Sequence, residues 1–241
     1  MSGGRERTGQ TRVPTTDELL DGWRTAADTP TPLAELAARP ARLRVDAPPW
    51  DLDALAAEAA RGTTTVLEIT PGAPRLDPDG CTVVGFDPDH TDPTALPYPD
   101  RCFDVVVDRH GAYDATEVAR VLRPGGVFLS DQVAGDDVVE LFAVFGAPLP
   151  RAHRTLEACA AELTGAGLDV VRRDRWHGPL LLDDVAALVS YLTLVPARSP
   201  ADFSVDGYAN TLLYLHMRAP AWGQPLVFTQ SRFLLRAERP V

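Results

Sequence analysis

The sequence predicts a doubly wound α/β fold. Three observations point there. Short, continuous apolar runs rich in β-branched residues recur at 63–69 (TTTVLEI), 81–86 (CTVVGF), 103–107 (FDVVV) and 126–130 (GVFLS). Such runs mark strands buried on both faces of a parallel sheet, whereas a half-buried strand would alternate. Helix-patterned stretches and turn residues separate the runs, as crossover connections require.

The elements follow in order. Thr16-Asp17-Glu18 starts a helix with Leu19, Leu20 and Trp23 on one face. A second short helix spans 32–38 and ends before Pro40, and Pro48-Pro49 breaks the chain again. Asp51 caps a helix carrying Leu52, Leu55, Ala56 and Ala59, which Gly62 stops. The four runs come next, with a helix over 115–122 between the third and fourth. Helices are expected at 136–145 and 155–164. A more mixed strand at 168–176 suits a place nearer a sheet edge. An amphipathic helix at 182–194, another helix at 208–218 and a last strand at 226–237, beside 168–176, complete the chain. The apolar stripe of 181–194 reads as core or as the contact of a homodimer.

Of 241 residues, 45% are hydrophobic and 24% charged, an ordinary globular balance. No apolar run approaches the roughly 18–20 residues of a membrane-spanning helix. The polar stretch 1–15 reads as a disordered tail without the apolar core of a secretory signal. Cys81, Cys102 and Cys159 form neither a zinc pattern nor a disulfide framework. The default compartment is cytoplasmic. The formal charge of −11 disfavours nucleic acid and anionic membrane as partners and leaves a small-molecule substrate as the expectation.

Two segments carry a family resemblance. The first runs Leu96-Pro-Tyr-Pro-Asp-Arg-Cys-Phe-Asp-Val-Val-Val-Asp108, and the second Glu117-Val-Ala-Arg-Val-Leu-Arg-Pro-Gly-Gly-Val-Phe-Leu129. A strand ending in Asp, a helix ending RVLRPGG and a further strand resemble the class I S-adenosylmethionine-dependent methyltransferases. The span from about residue 50 to 241 can be laid on that fold. The resemblance implies a Rossmann-like, mostly parallel seven-stranded sheet with an antiparallel last strand, N-terminal helices and a helical lid at about 178–223. It also implies one domain over 16–241 and S-adenosylmethionine as cofactor.

On that resemblance, Asp87 at the end of the second run would hold the ribose, Glu68 would orient the cofactor loop or meet the methionine amine, and Gly72 would let the backbone approach. The 94–96 segment, with Leu96, would face the adenine. Asp108, Arg109, His110 and Tyr113 would face the methyl group and its acceptor, with His110 as the base. Arg109 could hold an acidic substrate group, and His177 and His216 are lesser candidates. Structural readings stand beside these: a strand-end turn for Asp87, a buried acid on backbone amides for Glu68, an ordinary turn for Gly72, packing for Tyr113 and a surface ion pair for Arg109. The family's glycine-rich turn is here Glu68-Ile-Thr-Pro-Gly-Ala-Pro-Arg75, with only Gly72 at a glycine position. The connection that follows leaves space for one or two helical turns. Two functions therefore stay open. One is a methyltransferase acting on a small-molecule oxygen or nitrogen. The other is a methyltransferase-fold protein without methyl transfer, acting as a cyclase or isomerase or as a non-catalytic partner.

Overall fold

A computed structural model describes residues 13–38, 42–63 and 65–241. Most of the tail read at 1–15, together with Pro40, lies outside the described residues. The chain divides into two compact units, one from the described part of residues 1–44 with Leu181–Val227, the other from Val45–Leu180 with Phe228–Val241.

The first unit is helical. Helix α1 (Thr16–Asp28) starts with a capping box in which the Thr15 hydroxyl accepts from the Glu18 amide and the Glu18 carboxylate accepts from the Thr15 amide. Helix α2 (Leu33–Ala38) follows. Helix α7 (Val185–Leu194) buries most of its residues, from Val185 to Leu192, so the apolar stripe read at 181–194 is core of this unit. The Ser190 hydroxyl accepts from the Thr31 amide. Helix α8 (Ala209–Arg218) completes the unit with short 3-10 turns at Pro196–Arg198 and Pro220–Trp222.

The sheet has seven strands: β1 (Leu43–Val45), β2 (Thr65–Ile69), β3 (Thr82–Phe86), β4 (Phe103–Arg109), β5 (Leu122–Val133), β6 (Asp169–Leu182) and β7 (Leu226–Glu238). Their order is β1-β6-β7-β5-β4-β2-β3. The pairs β2–β3, β2–β4 and β4–β5 are parallel, and β7 runs antiparallel to β5. The doubly wound, mostly parallel seven-stranded sheet is as expected. The seventh strand is the three-residue β1 at the sheet edge, too short for a periodic signal.

Period-two alternation sorts the second unit's strands into two faces. Leu67, Ile69, Val106, Phe128, Phe233 and Leu235 meet helices α4 (Ala115–Val121) and α6 (Leu156–Gly165). Val66, Val105, Val107, Leu129 and Leu234 meet helix α3 (Leu52–Ala59) on the other face. Helix α5 (Val139–Phe145) begins three residues later than its pattern indicates, because 136–138 form a turn in which Val138 is left-handed. Strand β6 runs through Pro179 to Leu182, so the first residues assigned to a lid are strand.

The RVLRPGG helix owes its signature to a loop it holds. Glu117 accepts from the Leu96 amide, and Arg120 donates to the carbonyls of Leu96 and Tyr98 and to the carboxylates of Glu117 and Asp100. Removing the guanidinium strands the part-buried Tyr98 carbonyl and leaves the Leu96 carbonyl with the Tyr98 amide alone, at about 1–3 kcal/mol. Arg120→Ala will therefore lower the melting temperature by several degrees, and Arg120→Lys will not restore it, because an ammonium lacks the planar fork. Thermal melts of both variants check this.

Candidate functional site

Ligands of open parallel sheets sit beyond the carboxyl ends of the strands. Here that end is polar on both faces. Asp108 and Ser130 are register partners on β4 and β5, and Gln132 lies two residues further along the same face. The Asp108 carboxylate accepts from the Ser130 hydroxyl at 2.7 Å and from the Gln132 amide. Gln132 also donates to the Gly111 carbonyl at 3.1 Å. Arg154 donates to the Gln132 side chain at 3.2 Å and to the same Gly111 carbonyl at 3.1 Å. Asp108 has no solvent exposure, and burial lifts its carboxyl to about 7 against the pull of Ser130 and Arg154.

The opposite face carries alternating charges on neighbouring strands: Glu68 on β2, Arg109 on β4, Asp131 on β5 and Arg232 on β7. Arg109 is the register partner of Asp131. Its guanidinium donates to Glu68 at 3.2 Å and pairs with Asp53 on α3. Arg232 donates to the Asp131 carboxylate at 2.9 Å, and both side chains are largely buried.

His110 closes β4 in a left-handed conformation, φ 60°. Non-glycine residues in that region carry strain and cluster at functional sites. Its amide donates to the Asp131 carbonyl at 2.9 Å, and its Nδ1 lies 2.9 Å from the same oxygen. Arg232 Nη2 lies against the ring, 2.9 Å from Nε2 and 3.3 Å from Nδ1. A carbonyl can only accept, so Nδ1 carries the proton that goes to Asp131 and Nε2 is the unprotonated nitrogen. Burial and the Arg232 charge hold the imidazole down to about 4. His110 is neutral at ordinary pH, with a guanidinium against its ring.

The connection between β2 and β3 has no helix anywhere in residues 70–81, contrary to the one or two turns expected. Glu68 accounts for this. It is fully buried, and one of its carboxylate oxygens accepts from the amides of Arg75 and Leu76 at 2.7 and 2.8 Å. The loop is thereby folded back over the sheet edge, and the Pro74 ring lies where a side chain on Gly85 would stand. Gly72 is left-handed, φ 82°, and its amide donates to Asp87 at 3.1 Å. Asp87 also accepts from the Asp89 amide at 3.0 Å and pairs with His90 at 2.9 Å. The His90 contact, then the Asp89 amide, hold the Asp87 carboxyl below its usual range.

The remaining expected residues fall elsewhere. Tyr113 is in the core, its ring edge-on to Phe128 and under the Arg154 guanidinium, 4.8 Å from the ring centre. Burial raises its phenol well above the ordinary value, so as a catalytic group it stands in the core and away from the charged face. Leu96 is likewise buried, with its amide and carbonyl taken by Glu117 and Arg120. His177 is exposed on β6. His216 packs near Trp23 in the first unit, ring centres 6.0 Å apart. Sequence reasoning missed Ser130, Asp131, Gln132, Arg154 and Arg232. The available signal was the polar triplet Ser130-Asp131-Gln132 at the end of an apolar strand.

No protein-family model matches the chain, and no curated protein does. Solved structures do. A candidate methyltransferase from Bacillus halodurans C-125 matches with a TM-score of 0.54 at 17% identity, covering 79% of this chain and 99% of that one. The fold is that of the class I methyltransferases. The YcgJ protein of Bacillus subtilis matches at TM-score 0.49 and 17% identity, over 79% of this chain and 98% of its own. The [4+2]-cyclase SpnF matches at TM-score 0.46 and 15% identity, over 95% and 98%.

The methyltransferase fold is compatible with S-adenosylmethionine, so the residues at the expected cradle decide whether it fits here. Both oxygens of Glu68 are taken, by two loop amides and by Arg109. Both oxygens of Asp87 are taken by Gly72, Asp89 and His90. No helix N-terminus follows β2, and Pro74 brings a ring and no amide hydrogen to the loop. These residues do not fit the cofactor, because the chain's own groups occupy the donors and acceptors it would use.

Among the described residues no helix is long and apolar enough to cross a membrane, and no cluster of His, Cys, Asp or Glu could hold a metal ion.

Proposed function

We propose that this chain uses the methyltransferase fold without methyl transfer, as a cofactor-independent isomerase or cyclase acting on a small molecule in the cytoplasm. The helix-free connection between β2 and β3 carries this reading, because its loop amides take the carboxylates that would bind the methyl donor. Chemistry without a cofactor needs an acid–base group of suitable pKa and fixed dipoles. Asp108, lifted to about 7, and His110, held as one neutral tautomer, supply such groups at the ligand end of the sheet. The acidic net charge argues against nucleic acid as substrate.

Calorimetric titration of the full chain with S-adenosylmethionine and S-adenosylhomocysteine tests the reading. No binding is expected at millimolar ligand. Micromolar affinity that Asp87→Ala weakens would overturn it and return the chain to methyl transfer onto an oxygen or nitrogen acceptor.

A further inference from the structure

A cavity of about 240 Å³ lies where the chain leaves β5 and meets the start of α6. Ala134, Leu149 and Leu156 give it apolar wall, and Arg154, Arg175, Asp136 and Glu157 give it charge. The two arginines are held differently. Arg175 donates from Nη2 to both oxygens of Glu157, at 2.9 and 2.8 Å, so its charge is answered. Arg154 is half-buried and has only neutral partners: the Gln132 side chain at Nε, the Gly111 carbonyl at Nη2 and the Tyr113 ring. Among the described residues no carboxylate pairs with it, and its Nη1 makes no hydrogen bond. A charge drawn out of water is ordinarily paired, so this guanidinium stands incomplete. The Leu156 and Glu157 amides beside it are the first of α6 and have no acceptor in the helix, while the Thr155 hydroxyl takes the Ala158 amide.

We propose that this cavity binds a small monocarboxylate, with its carboxylate on Arg154 Nη1 and the open amides of α6 and its apolar body against Leu149 and Leu156. One guanidinium charge is unanswered, so one negative charge completes it. A doubly charged phosphate would bring a second charge toward Asp136 and Glu157, which repel it. The amides and the dipole of α6 add their pull on an anion at the same place. A carboxylate on a half-buried guanidinium is also screened less by salt than a surface pair is. The volume falls below the roughly 300 Å³ at which pockets for drug-sized ligands begin, so the apolar body is short. As a substrate, this ligand rests on the proposed cofactor-independent function and names its class. Arg154 joins the cavity to Gln132, and Gln132 donates to Asp108. The bound carboxylate therefore stands at one end of the hydrogen-bond chain that holds the acid–base group.

Titration of the nitrogen-15-labelled full-length protein with benzoate tests this, with benzamide and inorganic phosphate as comparisons. Benzoate should bind in the millimolar range or tighter and shift the amide signals of Leu156 and Glu157. Benzamide has the same shape without the charge and should bind about tenfold or more weakly, as benzoate should to Arg154→Gln, the effect of losing a charged hydrogen bond. Arg154 also supports Gln132 and the Gly111 carbonyl, so a second variant guards against a misfolded one. Ala152→Trp, at an exposed position of the lining, fills the cavity and leaves the Arg154 side chain in place. It should abolish benzoate binding. Amide signals that stay in place at millimolar benzoate, equal binding of benzamide, or unchanged affinity in the two variants would overturn the assignment. Phosphate binding more tightly than benzoate would overturn the carboxylate class. Micromolar S-adenosylmethionine binding would overturn the proposed function instead, and with it the ligand's place as substrate, while the site itself stands or falls on benzoate alone.

Discussion

Relative to the native protein, Asp108→Asn will gain roughly 2–3 kcal/mol of stability as the pH rises from about 5 to about 8, a change of about 5–10 °C in the difference between their melting temperatures. The carboxyl titrates at about 7 in the folded chain against an ordinary value of 3.8. A group whose pKa is raised by folding binds its proton more tightly in the native state. Its contribution is complete below the unfolded value and is lost as pH climbs through the folded one. Asparagine has no such proton, so the variant escapes the loss.

His110 works in the opposite direction. Its pKa falls from 6.5 to about 4 on folding, so the unfolded chain takes up a proton first as the solution is acidified. That contribution to stability is present above the unfolded value and disappears as pH falls toward the folded one. In the native protein the two trends largely offset each other between about pH 5 and about pH 7, and its own melting profile is shallow there. Asp108→Asn exposes the His110 trend, and His110→Gln exposes the Asp108 trend. Thermal melts of the three proteins across this range decide it. A difference between native and Asp108→Asn that stays constant with pH would mean that Asp108 is ionised in the fold throughout.

Much of the sheet was legible because its strands obey one rule. FDVVV and GVFLS are buried on both faces, so apolar residues run through them with only the half-buried Asp104 and the buried Ser130 as polar members. The parallel order followed from the helices between them. Strand β1 was not legible, since three residues give no period. The start of α5 was misplaced because Asp136 and Asp137 look like a helix start, whereas Asp137 accepts from the Ser231 amide and Val138 donates to Thr229 from a left-handed turn. Both bonds join segments more than ninety residues apart, and no local pattern encodes them. The same limit applies to the site. Asp108 and His110 could be placed because they end a strand, where ligands bind. Arg232 reaches His110 across 122 positions of sequence, and only the register of β7 on β5 brings it there. The tight turn at Glu68 was visible as a loss of glycines, but the reason, a carboxylate gathering two loop amides, needed coordinates.

Gly135→Ala will lower the melting temperature by about 5–10 °C, the effect of a methyl group forced into a filled space. Gly135 follows β5 and sits under residues 151–152. An added Cβ would lie 2.2 Å from the Arg151 carbonyl oxygen and 2.9 Å from the Ala152 backbone. Backbone cannot rotate away as a side chain can, so the whole 151–154 segment must shift. It is also fastened there, because the Gly135 amide donates to the Arg154 carbonyl at 2.7 Å. The displacement therefore reaches the site through Arg154, which leaves Gln132, the Gly111 carbonyl and the Tyr113 ring. Arg154 also helps hold the Asp108 carboxyl down, so its departure moves that group further up and carries the loss of stability on to higher pH. Gly165→Ala is the control. That glycine ends α6 with open space around it, and alanine there should be neutral or slightly stabilising. Equal melting temperatures for the two variants would show that the 151–154 segment yields freely, and that Arg154 does not hold the polar face of the site in place.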